Sequence, residues 1–474
     1  MPTLRAFIPS DERQQANGFL FMNFSVDEQL TESIFGVDSQ RAAWLYSMTL
    51  IMSVPCFFAA ADCFTLRGRG ALGLWHVLNL ACAVQRFAAV HTTSYALALA
   101  SSIPLGVSTS LMIASYGAVT ELWLPEEERA LGMSILVQSN YSGWLAGAVL
   151  TPIFAKDRVA LVYLLQYQVA ACTMAGAFAA LELASRPYEA SAPKGYKAPP
   201  APDVVRRSPQ RTLAPGGERE VAAREAEEAM VRREEAVQAA NDQAILCDDG
   251  CAAPEPLSLY IAVKDLAANP RWLVLGLCYA TVGGIGYAIP AAQDAIFFAA
   301  CPGHLDAQKN ARANGAFILA GVLTVITLGR YGNALVGHEA AVLTPLLSAG
   351  AFVIGLLALA LARGVCYEGL VLPLMALAGA SSLGFVGLAL REAAETAAPN
   401  KSASLYSSGL IVWGFQGTGA LFTQVASNRW GFTIIAASQA ISAVGLVVGF
   451  RMPRKGAQLE TRVATETSEA PAGF

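Results

Sequence analysis

With 474 residues, 54 % of them apolar and only 14 % charged, the chain is too poor in charge for an ordinary soluble domain, where about a quarter of the residues are charged. Its formal net charge of −4 offers no basic surface for nucleic acid. Such a composition belongs to a multi-pass protein of the lipid bilayer.

A bilayer core about 30 Å thick takes roughly 20 apolar residues at 1.5 Å each. The first sixteen residues are polar, and the run Asn17–Ser25 (NGFLFMNFS) is apolar but only about half a span long. That run is too short for the core of a secretory signal. Two readings stand for it: the first helix is absent, or the sequence begins inside it. Eleven full stretches follow, at about 42–64, 71–91, 93–117, 130–154 and 159–184, then 272–299, 313–335, 340–362, 367–390, 404–426 and 431–451. With the fragment counted, the pattern is six spans, a long polar loop, six spans.

The expected organisation is a polar N-terminus over 1–16, a first transmembrane bundle over 17–184, a linker over 185–256, a second bundle over 257–452 and a disordered tail over 453–474. The linker opens with KGYKAPPAP at 194–202, and its Pro and Gly predict a flexible or polyproline-like segment. From Glu218 it becomes rich in Ala, Glu and Arg, with Glu220 and Arg224 or Glu228 and Arg232 four apart, which predicts a charged, solvated helix. Placing the linker in the cytoplasm puts Arg67, Arg69, Arg129, Arg330, Arg391, Lys401, Arg451, Arg454 and Lys455 on its side and Arg41, Lys156, Arg158, Lys309, Arg312, Arg363 and Arg429 opposite. That is a small excess of positive charge inside.

The nine cysteines are mostly scattered singly through apolar stretches, so neither a disulfide framework nor a zinc spacing is expected. No nucleophile with a nearby base, no paired histidine ligands and no phosphate-cradling glycine loop is found, so no catalytic residue, metal or cofactor is expected. Several spans carry Gly or Pro in their middles, among them Gly143 and Gly147, Gly283 to Pro290, and Gly414 to Gly419. Small residues let membrane helices approach closely, and proline loosens the local backbone bonding.

Two six-helix halves joined by a long cytoplasmic loop resemble the major facilitator superfamily, in which pseudo-symmetric halves rock about a site near the membrane midplane. The resemblance implies an all-α membrane protein with two six-helix bundles, the first helix truncated and about eleven spans full. Within it, Asn17-Gly18-Phe19, Ser25, Phe35-Gly36-Val37, Trp44-Leu45 and Val54-Pro55 resemble, without a gap, the first two helices of the feline leukaemia virus subgroup C receptor-like family. Trp123 to Ala130, Asn314 to Phe317, Glu395-Thr396 with Pro399, Ser407 to Leu410 and Gln416 are similar to the same family in order and spacing. Two departures are Arg391, where the family tends to have an acid, and a two-residue insertion within Asn400 to Tyr406.

The resemblance implies a monomeric carrier for a small organic solute, a choline-like amine or haem among the candidates. A membrane receptor or scaffold that keeps the fold and moves nothing is the alternative. Positions matching the family's aromatic cage are Phe21, Tyr287 and Gln416, with Asn140 and Tyr141 from the fifth span; Phe21 stands where the family has tryptophan. The superfamily's cytoplasmic gate implies roles for Asp62, Arg67 and Arg69 in the loop after the second span. Asp294 is the expected coupling residue for a proton or cation, ahead of His76 and Arg86, because ionisable groups in lipid default to cavity positions. Only His76 of the four histidines lies well inside a span, so no ligand set for haem iron is expected.

Overall fold

A computed structural model describes residues 8–123, 126–185, 259–302, 306–397, 401–426 and 430–453. The linker with its predicted charged helix and the tail beyond Pro453 lie outside the described residues. The first half contains α1 (Ile8–Met22), α2 (Glu28–Phe35), α3 (Ser39–Thr92), α4 (Tyr95–Ala100), α5 (Ser102–Trp123), α6 (Glu126–Phe154) and α7 (Arg158–Ser185). The second half contains α8 (Leu259–Ala267), α9 (Pro270–Ala300), α10 (Ala307–Arg330), α11 (Glu339–Ala362), α12 (Glu368–Ser382), α13 (Val386–Ala397), α14 (Lys401–Ala426) and α15 (Gly431–Arg451).

α1 starts at Ile8, within the stretch that reads as polar, and rises roughly 22 Å over its 15 residues. α3 is helical for 54 residues, yet it is two spans. Straight, it would hold Arg41 and Thr92 roughly 77 Å apart, but the Tyr95 hydroxyl donates to the Arg41 carbonyl at 2.9 Å. The chain therefore doubles back where the apolar runs expected at 42–64 and 71–91 meet.

Eight stretches of the described residues are long and apolar enough to cross a membrane. The other expected full spans are helical too: the second half of α3, α6 and α14. α6 and α14 are less apolar because they carry Gln138, Asn140, Ser407, Ser408 and Gln416, all buried. Helices enclosed by protein on most sides escape lipid and tolerate such groups. Large apolar side chains such as Val77, Phe178, Leu277, Phe352 and Ile441 instead face outward, as lipid contact demands.

The packing repeats with a shift of six spans. α1 lies against α6 as α9 lies against α14, α3 against α5 as α10 against α12, and α3 against α7 as α11 against α15. Between the halves, α6 meets α10 as α14 meets α3. That recurrence is what an approximate twofold relation between the halves produces. Glycine allows the close contacts: a Cβ at Gly143 would overlap the Gln15 backbone of α1, and one at Gly284 would overlap Thr418 of α14.

One expected span is not continuous. The stretch 367–390 breaks at Leu383–Phe385, between α12 and α13. Leu383 there fits where Gly286 of α9 and Gly321 of α10 leave room. α8 is a short helix before α9, whose N-cap Asn269 accepts from Trp272 N at 3.2 Å.

The expectation of no disulfide is corrected: Cys301, after α9, is bonded to Cys366, before α12, with Cα atoms 5.7 Å apart. The two cysteines read as single residues because 65 positions separate them, and only the fold brings both to the same membrane face. By the alternation of the spans that face is opposite the one where α9 starts, and a disulfide there persists in an oxidising compartment. Maleimide labelling of the denatured protein, with and without prior reduction, checks this. Cys301 and Cys366 are expected to react only after reduction, whereas Cys56, Cys82, Cys172 and Cys278 react in both cases.

Candidate functional site

Six aromatic rings meet at the centre, from five helices of both halves. Trp144 of α6 lies 4.8 Å from Tyr287 of α9 and 5.7 Å from Phe21 of α1, centroid to centroid. Tyr141, one turn before Trp144, is 6.1 Å from Tyr287. Tyr46 of α3 packs edge-on to Phe21 at 5.7 Å, and its hydroxyl donates to the Tyr287 carbonyl at 2.9 Å. Phe415 of α14 lies 5.9 Å from Tyr287. The break after α12 adds Phe385 next to Phe415, at 6.1 Å. These are ring-contact distances, so in this conformation the rings fill one another's faces.

The fold thus brings together three of the expected residues, Phe21, Tyr141 and Tyr287. Asn140 borders the cluster on its α1 side: its Oδ1 and Trp144 Cδ1 each lie 2.9 Å from where a Cβ on Gly18 of α1 would stand. Gln416 is fully buried and follows Phe415 in the chain. Sequence reading missed Tyr46, Trp144, Phe385 and Phe415. Trp144 was the most legible of these, since its spacing of three from Tyr141 puts both on one face of α6. It also supplies a tryptophan where Phe21 lacks one.

Buried polar atoms without partners lie on the same helices. Both amide atoms of Gln138, one turn before Tyr141, have no hydrogen bond, nor do Trp144 Nε1, Asn140 Oδ1 and Gln416 Oε1. Buried polar groups are almost always satisfied by protein, water or ligand. Unpartnered buried atoms occur away from the rings as well, among them Trp75 Nε1, Thr151 Oγ1 and Gln293 Oε1, while other interior groups are paired, as where Asn17 Nδ2 donates to Asn79 Oδ1 at 3.0 Å and Ser108 Oγ at 3.1 Å.

Both ends of the interface between the halves are in contact. On the linker side, a Cβ on Gly387 of α13 would overlap Ser134 of α6, and nearer mid-span Trp413 Nε1 of α14 donates to the Val54 carbonyl of α3 at 2.8 Å. On the far side, Gln424 Nε2 of α14 donates to Ser47 Oγ of α3 at 2.8 Å. Asp294, buried near the far end of α9, accepts the backbone N–H of Glu28 in α2 at 3.0 Å. The central rings are therefore enclosed from both sides.

The remaining expected residues fall apart from the cage. Asp62, Arg67 and Arg69 lie where α3 doubles back, and their side chains are outside the described residues. Arg86 is fully buried; it donates to the Leu20 carbonyl in the last turn of α1 and lies 4.9 Å over the Phe24 ring, a cation at a helix C-terminus. His76 stacks beside Trp75 at 6.3 Å. Arg391 bonds Glu395 one turn on, at 2.8 Å. Its neighbour Glu392 holds Arg271 at 2.7 Å, fully buried at the linker-side end of the second half. Oxygens of Glu339, Glu392 and Glu395 lie within 4.8 Å of one another, and the two arginines satisfy the charge of Glu392 and Glu395.

Residues 14–423 match the Major Facilitator Superfamily. Among solved structures, a D-xylose-proton symporter superposes with a TM-score of 0.60 at 11 % identity, over 93 % of this chain and 96 % of that one. The superfamily transporter FucP, in its outward conformation, gives 0.55 at 14 % identity, over 94 % and 97 %. A bacterial homologue of the human lysosomal transporter Spinster, inward-facing and unoccupied, gives 0.53 at 11 % identity, over 94 % and 95 %. At these identities the likenesses concern the fold, while the family match covers most of the chain. This chain belongs to the Major Facilitator Superfamily and is an integral, multi-pass membrane protein.

Proposed function

We propose that this protein is a carrier that moves a small organic cation, an amine or a quaternary ammonium, across the membrane by alternating access as a monomer. The observation that carries the reading is the aromatic cluster shared between the two halves, with unpartnered amide groups on the same helices. Aromatic faces attract a cation without hydrogen bonds and cost it little desolvation, and Trp is the strongest of them. The amide oxygens of Gln138 and Gln416 would accept from an ammonium N–H, so amines that carry a proton gain more than those that carry none. None of the central rings is a histidine, which leaves haem iron without a ligand among them.

The closing of the rings on one another supports the same reading. A solute entering from one side would part them, and the halves, which touch at both ends, would release one end at a time. The symmetric packing and the glycine-lined contacts between α1 and α6 and between α9 and α14 suit bundles that move as bodies.

Uptake into proteoliposomes tests this. Labelled primary amines, choline and a neutral alcohol of similar size are compared, with haem as a further arm. Saturable accumulation of at least one cation, inhibited strongly by other cations and only weakly by the alcohol, is the expected result. A receptor or scaffold would move none of them.

A further inference from the structure

Among the contacts that join the halves, one links a helix start to a carboxylate 266 residues away. α2 begins at Glu28 in the short far-side loop of the first half, and its N-cap Asp27 already accepts from Leu30 N at 3.0 Å. The next exposed donor of that helix end, the Glu28 N–H, is left over. It is taken by Asp294 Oδ2 of α9 at 3.0 Å, while the other Asp294 oxygen accepts from Asn310 Nδ2 of α10. Asn310 is itself held, because its carbonyl accepts from Gln293 Nε2 at 2.9 Å. A helix N-terminus favours an acceptor with negative charge; here the opposite bundle supplies it.

The Glu28 side chain is buried beside this contact. The charged groups acting on it are Asp294 from α9 and Glu32 from its own helix, both acids, and Asp27 and Glu32 also act on Asp294. Of the cations of α10, Lys309 lies 3.8 Å from Asp306 and Arg312 3.2 Å from Glu368, and neither is among the charges acting on Glu28 or Asp294. Two carboxyl groups thus share a water-poor site, with no cation among the described residues acting on either, and only one can ionise cheaply.

We propose that the Glu28–Asp294 contact is a proton-sensitive latch on the far face: ionised Asp294 holds the start of α2 while Glu28 is protonated, and opening that face releases the Glu28 proton to outside water. The proposal rests on the alternating-access reading and adds where a proton would enter the cycle. Burial first, then the charges of Asp294 and Glu32, push Glu28 up to about 8 in the closed form from an ordinary 4.5. Once open to water it would fall back toward the ordinary value. Between those two values the closed form carries one proton more than the open one. Each unit of acidification therefore favours closure by about tenfold, and the preference fades above pH 8.

The test uses the full-length protein in lipid nanodiscs, stripped of cysteines other than Cys301 and Cys366. Spin labels go on Val159→Cys and Tyr367→Cys, both exposed at far-side helix ends of opposite halves, and the label-to-label distance is measured from pH 5 to 9. The expected result is two distances, with the longer one gaining about tenfold over the short one per unit of rising pH between about pH 6.5 and 7.5. Glu28→Gln, which mimics the protonated acid, should stay short at every pH, and Asp294→Ala should go long at every pH. Two distances that do not redistribute with pH, or a Glu28→Gln variant that keeps the pH response, overturn the latch and leave the carrier reading intact. A single distance in all variants, Asp294→Ala included, overturns the alternating-access reading with it.

Discussion

Replacing Trp144 with leucine is expected to raise the KM for a transported cation about thirtyfold while leaving uptake capacity near normal. Leucine keeps an apolar side chain against Tyr141 and Tyr287, so most of the packing survives, but it has no ring face. A desolvated Trp–cation contact is worth about 2 kcal/mol or more, and about 1.4 kcal/mol is tenfold in affinity. Trp144→Phe should fall between, because phenylalanine offers a weaker face. Competition by a neutral isostere of the solute is the control and should not change. If neutral and cationic ligands lose affinity equally, the ring acts through shape alone and the cation assignment fails.

Arg271→Met is expected to cost about 3–5 kcal/mol of stability, the usual penalty for taking one partner from a buried ion pair. Arg271 ties three helices together. It reaches Glu392 of α13 at 2.7 Å, donates to the Met452 carbonyl after α15 at 3.0 Å, and lies 5.9 Å over the Phe450 ring. Methionine fills similar volume and leaves Glu392 without its arginine in a fully buried place. The double variant Arg271→Met with Glu392→Met should recover most of the loss, since a buried pair is worth little more than the apolar groups that replace it. Thermal unfolding of the purified protein in detergent reads both. Additive losses in the double variant would show that the two side chains are not coupled.

Much of the architecture was legible residue by residue. The long apolar runs, the polar stretch between the halves and the small residues in mid-span are local properties of one helix, and each has a direct physical meaning in lipid. Even so, α3 and the break at Leu383–Phe385 show the limit. The reversal in α3 is hidden in an unbroken helical pattern, and the break is allowed by space that Gly286 and Gly321 leave on other helices. Similarly, α1 begins within polar residues because its partner is α6: a Cβ at Gly143 of α6 would already overlap the Gln15 backbone.

The candidate site was legible only in part. Phe21, Tyr141 and Tyr287 were reached through resemblance, and the structure places them in ring contact. Asn140, also reached through resemblance, lies against Gly18 of α1 together with the edge of Trp144. Tyr46, Phe385 and Phe415 carry no mark in the sequence that separates them from packing aromatics.

By itself, the sequence determined that this chain lives in a bilayer, crosses it in two comparable sets of helices and keeps a long polar segment between them, because lipid screens each helix for length and hydropathy independently. The tertiary structure alone decided that Cys301 meets Cys366, that Asp294 reaches the start of α2, and that rings from both halves close on Trp144. A membrane helix that is apolar on nearly every side does not reveal which face meets a partner. That choice is made by the fit of side chains between helices far apart in the chain.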